Sequence, residues 1–180
     1  MKGATRKIIM LHSFVNFFKP MDLYLPTFTI EKGSKVPDFK LKKQDGTWIH
    51  LNQIQSQWVV LFFYPQDNTP TCTKEACNLK ENFSILKEKG VFILGVSPDD
   101  EKSHQKFINK YELPYDLVVD EHHKLASFLG IWGQKKFMGK VYDGIHRVTL
   151  ILNSKHELHD YIYPVKAGEH TNQIIHSILS

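Results

Sequence analysis

Apolar positions along the chain change period several times. Phe39 and Leu41, then Ile49 and Leu51, alternate with polar residues around Asp45-Gly46, a pairing that predicts a β-hairpin. Val59 to Phe63 is unbroken, apolar and rich in β-formers, as a strand buried on both faces should be. From Cys72 to Lys89 the spacing becomes helical, with Ala76, Leu79, Phe83 and Leu86 on one stripe and Gly90 as the stop. Val91 to Val96 predicts a second buried strand. Asp99 to Tyr111 predicts a polar helix whose apolar contacts are Phe107 and Ile108. A short strand, Leu117 to Val119, and a short helix, His122 to Leu129, follow, the helix ending at Gly130. Residues 131–146 lack clear periodicity and are expected to form a long ordered loop, a kind of segment that usually carries function. Val148 to Leu152 and Leu158 to Tyr163 predict a hairpin across Asn153-Ser154. The last element is a helix, Glu169 to Leu179, with Ile174, Ile175, Ile178 and Leu179 turned to the sheet. Strands and helices alternate at short spacing without internal repeats, which argues for an α/β fold around one sheet.

Composition narrows the class. A chain of 180 residues, 42% hydrophobic and 23% charged, is globular and long enough to bury a core without disulfide staples. It has only two cysteines, too few for a secreted disulfide scaffold, so their proximity suggests redox or metal chemistry in a reducing compartment such as the cytoplasm. The net charge of +4 is local. Lys2, Arg6, Lys7 and Lys19 lie in the first twenty residues, where there is no acid, and the remaining 19 basic residues balance 19 acidic ones. A basic nucleic-acid-binding face is therefore not expected. We expect residues 1–29 to form a loosely packed basic and apolar extension and residues 30–180 to form one domain. The apolar run Ile8 to Leu11 is too short to span a membrane, and no small-residue cleavage site follows it. Met21 is a second candidate start of translation.

The chemistry is concentrated at Cys72 and Cys77. Thr69 is suited to cap a helix and Pro70 to open it, which makes Cys72 its third residue. There a sulfur lies near backbone N–H groups without helical partners, at the positive end of the helix dipole, and a thiolate is stabilised. A thiolate that meets a hydroperoxide becomes a sulfenic acid, and a nearby thiol can condense with it to a disulfide. Cys77 is the only other thiol. Residues five apart on a helix are separated by about 7.5 Å of rise and point about 140° apart. A disulfide needs Cα atoms within about 7 Å, so the helix start must unwind before the two sulfurs can bond.

Pro65, Thr69 and Cys72 match the Pro-x-x-x-Thr-x-x-Cys signature of the peroxiredoxins. The placement of Cys77 in the same helix resembles the bacterioferritin-comigratory-protein, or peroxiredoxin Q, branch. A second block resembles that branch too: Trp132-Gly133-Gln134-Lys135-Lys136-Phe137-Met138-Gly139-Lys140, then Tyr142 through Arg147. The likeness runs from about Lys35 to the C-terminus. It implies a thioredoxin-like fold, a central mixed sheet flanked by helices with an N-terminal β-hairpin. It implies a thiol peroxidase, a monomer or a weak dimer, that reduces hydrogen peroxide and organic hydroperoxides, with no metal or bound cofactor. Cys72 would be the peroxidatic nucleophile and Cys77 the resolving thiol, with thioredoxin or glutaredoxin as reductant. Thr69 would hydrogen-bond the thiolate and peroxide, Pro65 would shield the sulfur from water, and Arg147 would hold the thiolate and polarise the peroxide. Thr71 departs from the glycine frequent before the nucleophile in this branch, which affects how readily the helix start unwinds.

Other chemistries are weaker. A zinc site would need two ligands beyond the cysteines, and adjacent His122 and His123 diverge on a helix. A thioredoxin-type exchanger would carry Cys-x-x-Cys, which is absent. A non-catalytic or chaperone-like role has no signal of its own. Glu75 is explained as an acid in the first turn that favours the helix dipole, and Trp132 and Phe137 as core residues.

Overall fold

A computed structural model describes residues 24–180. A seven-stranded mixed sheet carries the fold, in the order β2-β1-β5-β4-β3-β8-β9. Its strands are β1 (Lys40–Lys43), β2 (Trp48–His50), β3 (Trp58–Phe63), β4 (Val91–Ser97), β5 (Asp116–Val119), β8 (Val148–Asn153) and β9 (Leu158–Ile162). The helices are α1 (Pro70–Glu81), α2 (Phe83–Glu88), α3 (Glu101–Tyr111), α4 (Lys124–Phe128) and α5 (His170–Leu179). β3, β4 and β5 run parallel, with β1 and β8 antiparallel on either flank. This is the expected thioredoxin-like α/β fold with its N-terminal hairpin, in which Leu41 faces Ile49.

Strand β3 shows why its sequence is continuously apolar. Val59, Leu61 and Phe63 enter one core with Leu94, Val96, Leu125 and Leu150. Val60, Phe62 and Tyr64 enter another with Cys72, Ala76, Leu79, Phe107 and Ile174. A central strand covered on both faces has no polar side to show. Gly95 on β4 is required by this packing, because a Cβ there would run into Leu117 and Phe62.

Several expectations change. The helix expected from Cys72 to Lys89 breaks at Asn82, whose side chain donates to the Asn78 carbonyl at 2.8 Å and competes with the backbone ladder. Residues 131–146 are not a loop. They form an antiparallel hairpin outside the main sheet, β6 (Trp132–Phe137) and β7 (Lys140–Ile145), turning at Met138-Gly139, where φ is 48° and 80°. Both faces of this hairpin are largely exposed, so it carries no period-two signal. Phe137 is accordingly exposed rather than core, and Trp132 is half-buried and stacked on His123 at 3.6 Å. The helix expected from His122 starts only at Lys124, because His122 and His123 are left-handed, with φ of 56° and 55°. Leu179 ends α5 in solvent, 71% exposed, while Ile174 is fully buried.

Residues 1–23 and the expectations placed on them lie outside the described residues. From Tyr24 onward the chain packs on the domain. Thr27 N–H donates to the Gly130 carbonyl at 2.9 Å, Phe28 stacks on Tyr161 at 3.8 Å, and the Tyr161 hydroxyl donates to the Ile30 carbonyl at 2.8 Å. The boundary expected at residue 30 thus falls inside a packed segment. No helix among the described residues is long and apolar enough to cross a membrane.

Candidate active site

The site lies at the carboxyl end of β3, where open α/β sheets place their crevices. Tyr64 leaves the strand, and Pro65 to Thr69 form the turn into α1. Thr69 is extended, with φ −75° and ψ 151°, and Pro70 opens the helix. The expected capping position is therefore correct, but the Thr69 side chain caps nothing: its hydroxyl donates to the Gln66 carbonyl at 3.3 Å. Pro65 ends the strand and is partly exposed.

Cys72 is the third helical residue, and its side chain is buried against the sheet. Antiparallel pairing of β3 with β8 sets Phe63 opposite Val148, so Arg147, one residue before β8, lies at the same end of the sheet. Its Nη2 donates to Cys72 Sγ at 3.1 Å. Its Nη1 is bonded to the fully buried Glu75 carboxylate. Glu75 is thus not an exposed acid favouring the helix dipole. It lies one turn beyond Cys72 on the same face and orients the guanidinium. The i, i+3 spacing in the sequence was the signal for it.

Behind Glu75 is His170, fully buried at the start of α5. Burial, then the Arg147 charge, pushes its pKa from the usual 6.5 to about 3, so the ring is neutral. Its Nε2 shares a hydrogen bond of 2.8 Å with the Thr149 hydroxyl. Its Nδ1 lies 3.3 Å from Glu75 Oε1 without a hydrogen bond between them. Neither His170 nor Thr149 carries a sequence signal for this place.

A second buried network holds the turn before α1. The Asp67 carboxylate accepts from the Tyr64 hydroxyl at 2.8 Å and the Ser103 hydroxyl at 2.8 Å, and lies 2.9 Å from His104 Nδ1. Asp67 N–H donates to Asp99 Oδ2 at 2.9 Å. The polar pattern of α3 concealed the full burial of His104.

Cys77 is free and half-buried. Burial, then the Glu81 charge, raises its thiol pKa. Lys135 reaches back from β6 to the Ile145 carbonyl at 2.8 Å. Burial lowers its pKa, and the Cys72 charge opposes that shift. His146, beside Arg147, is lowered by burial and then by Lys135. Among the described residues no group of three or more His, Cys, Asp or Glu side chains is arranged to hold a metal.

A fixed cation on a cysteine at a helix start is the equipment of a thiol that attacks an electrophile, and the comparisons agree. The AhpC/TSA family model matches residues 32–161. Peroxiredoxin Bcp of Bacillus subtilis (strain 168) is 39% identical over 150 residues, covering 83% of this chain and 96% of that protein. Peroxiredoxin Bcp of Escherichia coli (strain K12) is 36% identical over 146 residues, covering 81% and 94%. A solved structure of Xanthomonas campestris peroxiredoxin Q superposes with a TM-score of 0.75 at 29% identity, covering 84% of this chain and 96% of that one. The chain belongs to the AhpC/TSA family and is a thiol-dependent peroxidase of the peroxiredoxin Bcp and Q type.

Proposed function

We propose that Cys72 is the peroxidatic nucleophile, and the observation that carries this is the Arg147 guanidinium, 3.1 Å from its sulfur and oriented by buried Glu75. The thiolate attacks one peroxide oxygen. A sulfur–oxygen bond forms as the O–O bond breaks, and the alkoxide or hydroxide leaves, taking up a proton. Arg147 stabilises the thiolate and the charge that develops on the peroxide. We assign the Thr69 hydroxyl, now on the Gln66 carbonyl, the role of a further donor to the thiolate and peroxide, and Pro65 the role of shielding the sulfur from water.

Cys77 resolves the sulfenic acid: its sulfur bonds to Cys72 and water leaves, with its proton completing that water. Burial, then the Glu81 charge, raises the Cys77 thiol pKa while α1 is folded. Unwinding of the helix start brings the Cys72 sulfenic acid within reach of Cys77. A dithiol reductant of the thioredoxin or glutaredoxin type then exchanges with the disulfide. Hydrogen peroxide and organic hydroperoxides are the substrate class. A recycling thiol pair suits a reducing cytoplasm.

Peroxide-dependent NADPH oxidation in a thioredoxin-coupled assay tests the scheme. Cys72→Ser abolishes turnover. Cys77→Ser reacts once, gives a sulfenic acid trapped by dimedone, and stops. Arg147→Ala slows the first step by roughly 10²–10³, the usual cost of one transition-state donor. Turnover by Cys72→Ser would refute the nucleophile, and normal cycling by Cys77→Ser would refute the resolving thiol.

A further inference from the structure

Cys72 and Cys77 must approach one another, yet the two ends of their segment are held very differently. On the N-terminal side Pro70, Thr71 and Lys74 are exposed, and the Thr69 side chain caps no helix N–H. From Glu75, buried and bonded to Arg147, onward the helix is tied down. The Tyr115 hydroxyl, buried, donates to the Ala76 carbonyl at 2.8 Å. Leu79 is fully buried. Between them Asn78 joins α1 to α5 by several hydrogen bonds. Its Nδ2 donates to the Gly168 carbonyl at 3.0 Å, and its Oδ1 accepts from Thr171 N–H at 2.8 Å. Its carbonyl accepts from the Thr171 hydroxyl at 3.1 Å and from Asn82 Nδ2 at 2.8 Å.

The bond to Thr171 N–H has a particular meaning. The first N–H groups of a helix have no partner within it. Glu169, at the cap position of α5, makes no side-chain capping bond. The acceptor is supplied instead by Asn78, the residue directly after Cys77. Thus α5, packed on the sheet through Ile174, is capped from α1. Unwinding past Asn78 would uncap α5 and expose Leu79 as well. Unwinding that stops before Glu75 costs neither, and leaves the bond between Glu75 and Arg147 in place.

We propose that Asn78 is a positioning residue for the resolving step: it makes Ala76 to Leu79 a fixed post that holds Cys77 in place, so that Cys72 is the cysteine that travels. The post confines unwinding to the segment from Pro70 to about Lys74 and keeps the Cys77 sulfur at high effective concentration for the incoming sulfenic acid. The step is the condensation already described, a disulfide forming as water leaves. The proposal rests on Cys77 being the resolving thiol. Asn78 touches neither sulfur in the folded state and has no part in the attack on peroxide.

Hydrogen exchange on the full chain, reduced and after one equivalent of hydrogen peroxide, tests this directly. Oxidised protein loses the mass of two hydrogens. Amides from 73 to 78, whose acceptors lie in the unwinding turn, lose protection on oxidation, while Thr171 and the amides from 79 to 81 keep it. Loss of Thr171 protection in the oxidised wild type would overturn the fixed post alone. A folded protein that never loses the two hydrogens would sink both the post and the resolving role of Cys77. Asn78→Ala supplies the kinetic arm. Its first step with peroxide stays within about twofold of wild type, its resolving step slows roughly three- to tenfold, and more Cys72 is carried on to sulfinic acid at high peroxide. Asn78→Asp, which keeps the acceptor for Thr171 N–H, restores part of the rate. Resolution in Asn78→Ala as fast as wild type or faster would refute the proposal.

Discussion

Arg147 does two things with one planar group. One nitrogen donates to Cys72 and the other to Glu75, a fork that Lys, a compact point charge, cannot reproduce. The residue behind them is protonation-sensitive. His170 is neutral in the folded protein with a pKa of about 3, while in the unfolded chain it titrates near the usual 6.5. Between those values the unfolded chain binds the extra proton, so stability falls as pH falls, with a slope of up to about 1.4 kcal/mol per pH unit. Above 6.5 the term is constant. Urea unfolding of wild type and His170→Asn between pH 4 and pH 7 checks this: the variant has the shallower dependence. His146, lowered for the same first cause, contributes a residual slope in the same direction.

Elements deliver these residues. Helix α1 brings Cys72 and Glu75, the residue leading into β8 is Arg147, β8 itself brings Thr149, and α5 brings His170. Helix α3 works at one remove, carrying Ser103 and His104 to the Asp67 carboxylate and so holding the turn that leads into α1. Its start depends on Asp100, whose side chain accepts from Ser103 N–H at 2.7 Å. Asp100→Ala removes that cap and lowers stability by about 1 kcal/mol in thermal unfolding, with little change in the peroxide step. Most of these elements were legible in the chain, because strong periodicity and turn residues dictate them locally. The β6–β7 hairpin was not, since a ribbon exposed on both faces has no alternation to read. The break at Asn82 was hidden as well, because an apolar stripe can continue across a change of helix axis.

At the scale of the whole molecule the site is a junction of two buried polar networks on one face of the sheet. Arg147 contacts Cys72, Glu75 holds Arg147, and His170, bonded to Thr149, lies behind Glu75. Asp67, His104, Tyr64 and Ser103 secure the turn before it. His104 is fully enclosed, with Nδ1 on Asp67 and Nε2 3.2 Å from the Val118 carbonyl, so the turn is bound to α3 and β5 together. His104→Leu leaves the buried carboxylate without one of its partners. The expected loss is about 3 kcal/mol in denaturant unfolding, together with a slower peroxide reaction as the turn loosens. An unchanged midpoint would show that the remaining bonds to Asp67 suffice.

The motif residues and their order along the chain come from the sequence by itself: a buried strand, the Pro65-Thr69-Cys72 turn into a helix, a second cysteine five residues on, and Arg147 at the head of a later strand. These depend on neighbours in the chain, and local rules read them. Only the tertiary structure decided that Glu75 is buried, that it pairs with Arg147, that His170 lies behind it, and that Asn78 caps a helix some ninety residues away. Those contacts arise when β8 pairs antiparallel with β3 and α5 packs against α1. A polar residue at such a junction has the same local signature as one in solvent. Its meaning depends on what the remote chain puts beside it.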